Sequence, residues 1–170
     1  SLVDITSTLL EWVEKNTPKE VRSQFSEPLK NMIRGSKTNL LRIIHYPPFS
    51  GKEDNRSLRA AAHEDINLIT LLVAGTRPGL EAKDNNGNWH KITTDPGTII
   101  VNIGDMLKEA SGGYYPSTTH RVVNPEKGSN NDSRYSMPLF LHPRNEVVLS
   151  KEYTAGNYLN ERLEEIGLKK

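Results

Sequence analysis

The chain contains no cysteine. That excludes disulfide frameworks and thiolate-rich zinc sites, and it is compatible with a reducing compartment. Charge bias is missing too. Lys and Arg number 22 against 21 Asp and Glu, so electrostatics gives no support to a nucleic-acid or anionic-membrane partner. No apolar run approaches the roughly 18 residues of a membrane helix. No charged-then-apolar leader opens the sequence, and no internal repeat divides it. These absences lead us to expect a soluble, cytoplasmic protein with no nucleic-acid or membrane partner. They leave oligomeric state open.

What is present fits one domain. A chain of 170 residues can bury a real core but falls short of two domains. We expect residues 1–170 to divide into a helical lead-in over 1–36, a β core over 38–151 and a C-terminal helix over 153–168. Because residue 1 is Ser1 rather than methionine, the expectation is the core of something longer, or a trimmed chain.

Leu2 to Val13 carries a helical stripe of Leu2, Val3, Ile5, Leu9, Leu10, Trp12 and Val13. Pro18 can open a second helix through Val21, Phe25, Leu29, Met32 and Ile33, stopping at Gly35, with a break threatened at Pro28. From Leu40 the texture changes to short β-branched runs broken by glycine, proline and asparagine. Leu40–Tyr46, Leu68–Ala74, Gly79–Lys83, Trp89–Ile92, Thr98–Ile103, Thr119–Val123, Tyr135–His142 and Glu146–Leu149 are predicted strands. Asn86-Gly87 predicts a type I′ hairpin turn, and Asp95-Pro96-Gly97 predicts a turn before the next strand. Pro47–Arg56 and Asn124–Ser133 read as polar loops. Helical spacing returns from Tyr153 to Leu168, with Tyr158, Leu159, Leu163 and Ile166 on one side. Many short strands with regular turns predict a sandwich or barrel, of which the jelly roll is one closure.

The chemistry concentrates in His63, Asp65 and His120. In extended chain, residues two apart point the same way, so His63 and Asp65 can share one ion. Two neutral imidazoles and one carboxylate on one side of a metal leave adjacent positions open, the arrangement of non-heme Fe(II) oxygenases. Arg134-Tyr135-Ser136 offers a guanidinium and a hydroxyl suited to a carboxylate. A second Arg-x-Ser, Arg34-Gly35-Ser36, reads as a helix end. His45, His90 and His142 read as packed or solvated histidines. Arg121 and Glu64, adjacent to ligands, should point away from the metal by strand alternation.

These residues resemble the isopenicillin N synthase-like branch of the Fe(II)/2-oxoglutarate-dependent dioxygenases. The resemblance runs from about Leu40 to about Leu149 and joins five motifs in order: Arg42–Pro48, His63-Glu64-Asp65, Val101–Met106, His120-Arg121-Val122 and Arg134-x-Ser136. It implies a mainly β fold, a double-stranded β-helix (jelly roll) flanked by N- and C-terminal helices. It implies Fe(II) held by His63, Asp65 and His120, with no catalytic residue beyond the metal centre. The 2-oxoglutarate cosubstrate would place its far carboxylate on Arg134 and Ser136, assisted by the Tyr46 hydroxyl. A small organic substrate would then be hydroxylated, desaturated or cyclised with dioxygen, releasing succinate and carbon dioxide. Asn102, Gly104 and Asp105 match a family run and read as strand-end architecture, with Gly104 supplying backbone freedom. Ile44 stands where many 2-oxoglutarate-dependent relatives have asparagine, and it cannot hydrogen-bond a ligand. Two alternatives stay open: an isopenicillin N synthase-like oxidase that uses no 2-oxoglutarate, and a non-catalytic binding domain that keeps the jelly roll.

Overall fold

In the computed structural model, residues 1–49, 58–73, 75–93, 95–125 and 131–169 are described. Helix α1 (Leu2–Asn16) starts at a capping box in which the Ser1 hydroxyl accepts from the Asp4 backbone N–H and Asp4 answers the Ser1 amine. The second predicted helix is not continuous. It splits into α2 (Lys19–Arg22) and α3 (Leu29–Met32), with Pro18 and Pro28 each standing just before a helix. Proline fits a helix start and cannot continue an existing helix, so Pro28 opens α3, while α2 has already stopped at Arg22.

Among the described residues nine strands follow: β1 (Leu40–Leu41), β2 (Ile44–Tyr46), β3 (Ala60–His63), β4 (Ile69–Val73), β5 (Leu80–Lys83), β6 (Trp89–Lys91), β7 (Ile99–Ile103), β8 (His120–Val122) and β9 (Arg134–Leu141). Helix α4 (Asp105–Ala110) follows β7, and α5 (Ala155–Glu165) closes the described fold. The single strand expected over Leu40–Tyr46 is found as two, on the same edge of β9 and in one continuous register. The gap faces Pro138. Its carbonyl accepts from the Arg42 N–H at 3.0 Å, but it has no N–H to return, so the ladder is interrupted there.

The pairings among the described strands are antiparallel, and they form two sheets. One runs β1-β9-β4-β7 with β2 beside β1 on β9; the other runs β3-β8-β5-β6. The pairs β1/β2 with β9, β3 with β8, β4 with β7 and β5 with β6 make one long two-stranded ribbon bent at the β5–β6 hairpin. The chain alternates between sheets, so the ribbon is wound and its turns pair again through β9–β4 and β8–β5.

Side chains sort by strand alternation. Ile69 and Leu71 on β4 and Leu139 and Leu141 on β9 face the helices and join Leu10, Leu29, Met32, Met106 and Leu107 in the main core. Leu72, Leu80 and Val122 form a smaller cluster between the sheets, against Tyr46, Ala60, Ile92 and Ile100. The candidate site lies in that inter-sheet space.

Several expectations need correction. Glu146–Leu149 is not a strand: Val147 and Leu149 are buried and Val148 is exposed, as alternation requires, but the segment has only a single bridge, Val148 to Thr154. Among the described residues no neighbouring strand pairs with it, so alternation alone makes no ladder. The turn at Asn86-Gly87 is not type I′, which needs positive φ at both residues; only Gly87 is positive, at +88°. Instead the Gly87 N–H donates to the Asp84 carbonyl, and the Asp84 side chain takes the N–H groups of Asn86 and Asn88, a three-residue loop with glycine in the left-handed position. Asp95-Pro96-Gly97 does form the expected turn, with Gly97 at φ +88°. Helix α5 is shorter than predicted because Thr154 caps it, and Ile166 is exposed beyond its end. Two elements had no sequence expectation. Strand β3 is built on alanines, which carry little β preference, and α4 is only six residues long. Ala74 and parts of the two expected loops, residues 50–56 and 126–130, lie outside the described residues.

Candidate metal centre

Strand pairing brings the two histidines together: His63, ending β3, is the direct partner of His120, opening β8. Their ring centroids are 4.4 Å apart. His63 Nδ1 lies 2.8 Å from the Ala61 carbonyl and His120 Nδ1 lies 2.9 Å from the Thr118 carbonyl. A carbonyl can only accept, so each Nδ1 is the donor, and in the neutral ring this leaves Nε2 with the lone pair that a metal needs. Both lone pairs face one atom. Asp65 Oδ1 is 3.9 Å from His63 Nε2 and 3.8 Å from His120 Nε2.

The three donor atoms lie within 4.8 Å of one another, the only such cluster among the described residues. Donors this close could hold one ion between them. The donor set, two imidazoles and a carboxylate with the Nδ1 groups held by carbonyls, fits a first-row transition metal.

Asp65 is buried, and its other oxygen is occupied. Oδ2 accepts from Thr70 Oγ1 at 2.7 Å and from Asn102 Nδ2 at 2.8 Å. Thr70 and Asn102 are direct partners across β4 and β7. Asn67, fully buried, donates its Nδ2 to the Thr70 hydroxyl oxygen at 2.9 Å and to the Ile69 carbonyl at 3.0 Å. The reading of Asn102 as strand-end architecture alone missed this contact, and Thr70 was expected only as part of the Leu68–Ala74 strand. Alternation concealed both: a polar residue between Ile69 and Leu71, or between Val101 and Ile103, reads as the solvent side of a half-buried strand, whereas both side chains line the inter-sheet cavity.

Gly104 has a different role from the one expected. Its φ of −105° and ψ of 177° are open to any residue, so conformational freedom is not the reason for glycine. A Cβ there would overlap the Asn67 backbone carbonyl and Oδ1, and would come within 2.8 Å of the Asp65 carbonyl. The start of α4 seats against this same loop, since Asp105 N–H donates to the Asp65 carbonyl and Met106 N–H to the Asn67 carbonyl. Gly104→Ala is therefore expected to destabilise the fold by about 1–3 kcal/mol, the usual range for overpacking. Thermal unfolding checks this, and an unchanged midpoint would contradict the steric argument.

Arg134, Ser136 and Tyr46 lie in the same cavity, about 170 Å³, that the three candidate ligands line. Arg134 is completely buried. Its Nε donates to the Arg77 carbonyl at 3.0 Å, while neither terminal nitrogen has a partner among the described residues. Burial pushes the guanidinium pKa down, with Tyr46 opposing and Arg59 adding to the shift. The Tyr46 ring flanks the guanidinium, 5.3 Å from ring centroid to the guanidinium carbon. Ser136 is buried opposite Ile44, which contributes apolar wall.

The remaining candidates stay outside. His45 stacks on Tyr135, His90 pairs with Asp84, and His142 is buried, with its pKa lowered by that burial. Arg121 pairs with Glu81 and covers Trp89. Glu64 accepts from Thr119 Oγ1, away from the ligand atoms. The second Arg-x-Ser is a helix end, with Gly35 at φ +73°. No helix among the described residues is long and apolar enough to cross a membrane.

Comparison with known proteins adds independent findings. The model of the 2OG-Fe(II) oxygenase superfamily matches residues 37–143. Clavatol oxidase claD of Penicillium crustosum is 34% identical over 129 residues, covering 74% of this chain and 37% of its own. The 2-oxoglutarate-dependent dioxygenase citB of Monascus ruber is 37% identical over 104 residues, 59% of this chain and 30% of its own. The chain thus spans about a third of the length of these curated relatives. Among solved structures, a Shewanella oneidensis protein described as an oxygenase is 54% identical with a TM-score of 0.89, covering 98% of this chain and 62% of that one. A Neurospora crassa protein, crystallised full-length in complex with alpha-KG and thymine, is 27% identical with a TM-score of 0.73, covering 97% and 55%.

Proposed function

Since the chain belongs to the 2OG-Fe(II) oxygenase superfamily, we propose that it forms the catalytic core of an Fe(II)- and 2-oxoglutarate-dependent oxygenase acting on a small organic molecule. One observation carries this reading. A single cavity has a two-imidazole, one-carboxylate donor set and, on the same wall system, a buried guanidinium with two unpaired nitrogens. A dicarboxylate that chelates metal at one end and needs a cation at the other suits that combination.

His63, Asp65 and His120 would hold Fe(II). Arg134 would take the far carboxylate of 2-oxoglutarate through two parallel N–H donors, with Ser136 adding a hydroxyl. The Tyr46 ring lies 5.3 Å from the guanidinium carbon, and a role for its hydroxyl belongs to the same proposal. When bound, Fe(II) supplies activation of dioxygen, coupled to conversion of 2-oxoglutarate to succinate and carbon dioxide and to oxidation of a substrate C–H bond. The protein's part is positioning and exclusion of water: Leu72, Leu80, Ile92, Ile100 and Val122 line the cavity. Hydroxylation, desaturation and ring closure differ in substrate placement rather than in these residues.

The wound two-stranded ribbon supports reading the two sheets as a double-stranded β-helix, or jelly roll, with β1 and β2 counted as one interrupted strand. We take residues 1–170 as one such domain with its helical flanks.

The test is anaerobic titration of the chain with Fe(II) and 2-oxoglutarate, followed by succinate measurement in air. A weak visible charge-transfer band and succinate release are the expected results. Fe(II) binding with neither band nor succinate would favour the oxidase that uses no 2-oxoglutarate.

A further inference from the structure

We propose that Thr70 and Asn102 are positioning residues that hold Asp65 to coordination through one oxygen. The inference rests on reading His63, Asp65 and His120 as metal ligands, and it goes beyond that reading by giving a task to the far side of the carboxylate. A carboxylate can bind a metal through one oxygen or both. Here the choice is made before any metal arrives.

Oδ2 is taken by two donors from neighbouring strands, at 2.7 Å from Thr70 and 2.8 Å from Asn102, while Oδ1 faces both imidazole Nε2 atoms. The direction of the Thr70 bond is set by a further residue. Asn67 Nδ2 donates to the Thr70 oxygen, which turns the hydroxyl proton toward Asp65. A Thr70–Asn67 Oδ1 contact also exists but is longer, 3.3 Å against 2.7 Å. Asn67, Thr70 and Asp65 are all buried, so these bonds form with little competition from water.

The consequence is chemical. Rotating Asp65 to offer both oxygens would break two charge-assisted hydrogen bonds, one from the buried Thr70 hydroxyl and one from the partly buried Asn102 amide. The carboxylate would therefore hold a metal through one oxygen rather than two. With two imidazoles, a six-coordinate ion would keep three positions for a chelating 2-oxo acid and dioxygen. A two-oxygen carboxylate would leave only two.

Thr70→Val and Asn102→Leu remove one donor each while roughly keeping shape. Titration of the full chain with Co(II), whose visible spectrum reports coordination number, measures affinity and geometry without turnover. Far-UV circular dichroism follows the fold. Each variant is expected to bind Co(II) about 10- to 100-fold more weakly, the usual effect of losing an outer-shell partner, with a changed visible spectrum. Thr70→Ser, which keeps the hydroxyl, should restore both. If Thr70→Val does not fold, Asn102→Leu decides alone, because Asn102 is only partly buried. Folded variants with wild-type affinity and an unchanged spectrum would overturn the inference while leaving the metal site standing. Wild-type chain that binds no Co(II) would overturn both.

Discussion

Asp65→Ala is expected to lower affinity for Fe(II) or Co(II) by more than about 100-fold, beyond the 10- to 100-fold cost of an outer-shell partner. Asp65 is the only anionic member of the triad, and both imidazole Nε2 atoms converge on its Oδ1. Removing it takes away charge neutralisation and one donor together. It also leaves Thr70 Oγ1 and Asn102 Nδ2 aimed into an empty space, since both donate to Asp65 Oδ2. His63→Ala should weaken binding less, because His63 is the more exposed imidazole and water can take its place. Equilibrium dialysis against the metal measures both, and metal retained by the His63→Ala/Asp65→Ala double variant would remove the basis for the site.

Replacing Arg134 should separate ligand binding from stability. Arg134→Lys offers a point charge where a planar pair of donors is needed. It is expected to weaken 2-oxoglutarate binding about 10- to 100-fold, the loss of one hydrogen bond to a charged group at about 1.5–3 kcal/mol, with metal affinity nearly intact. Ser136→Ala should act in the same direction and more mildly. Arg134→Met tests the other side of the argument. In the ligand-free protein the guanidinium is fully buried with two unpaired nitrogens, a destabilising arrangement that a neutral side chain of similar length relieves. The Met variant should therefore melt no lower than wild type without ligand. It should also lose the thermal stabilisation that a saturating ligand gives, about 2.7 kcal/mol at a hundredfold excess over Kd. A variant stabilised by 2-oxoglutarate as much as wild type would contradict this placement of the far carboxylate.

The two outcomes follow from how differently the residues were legible. His63 and Asp65 could be paired from sequence because two-residue spacing in extended chain has one geometric consequence. His120 entered by its motif, and the β3–β8 register then placed it directly opposite His63. Most of the predicted strands were readable because β-branched residues and glycine or proline turns mark them locally. Glu146–Leu149 failed because a strand requires a neighbour, and sequence alternation cannot supply one. Strand β3 was missed for the complementary reason: Ala60, Ala61 and Ala62 carry no strand signal, and pairing with β8 alone makes them extended.

The sequence by itself determined the donor types, the order of the motifs and the mainly β character of residues 38–151. Those properties reside in local composition and short spacings. Tertiary structure alone decided which oxygen of Asp65 faces the imidazoles, because the answer depends on Thr70 and Asn102 arriving from two strands. It alone decided that Gly104 is required for space rather than for backbone freedom, since the obstacle is a carbonyl of Asn67. It likewise decided that Arg134 is buried with two nitrogens unpaired. Each of these draws on at least one residue distant in the chain, and only the winding of the ribbon brings it into contact.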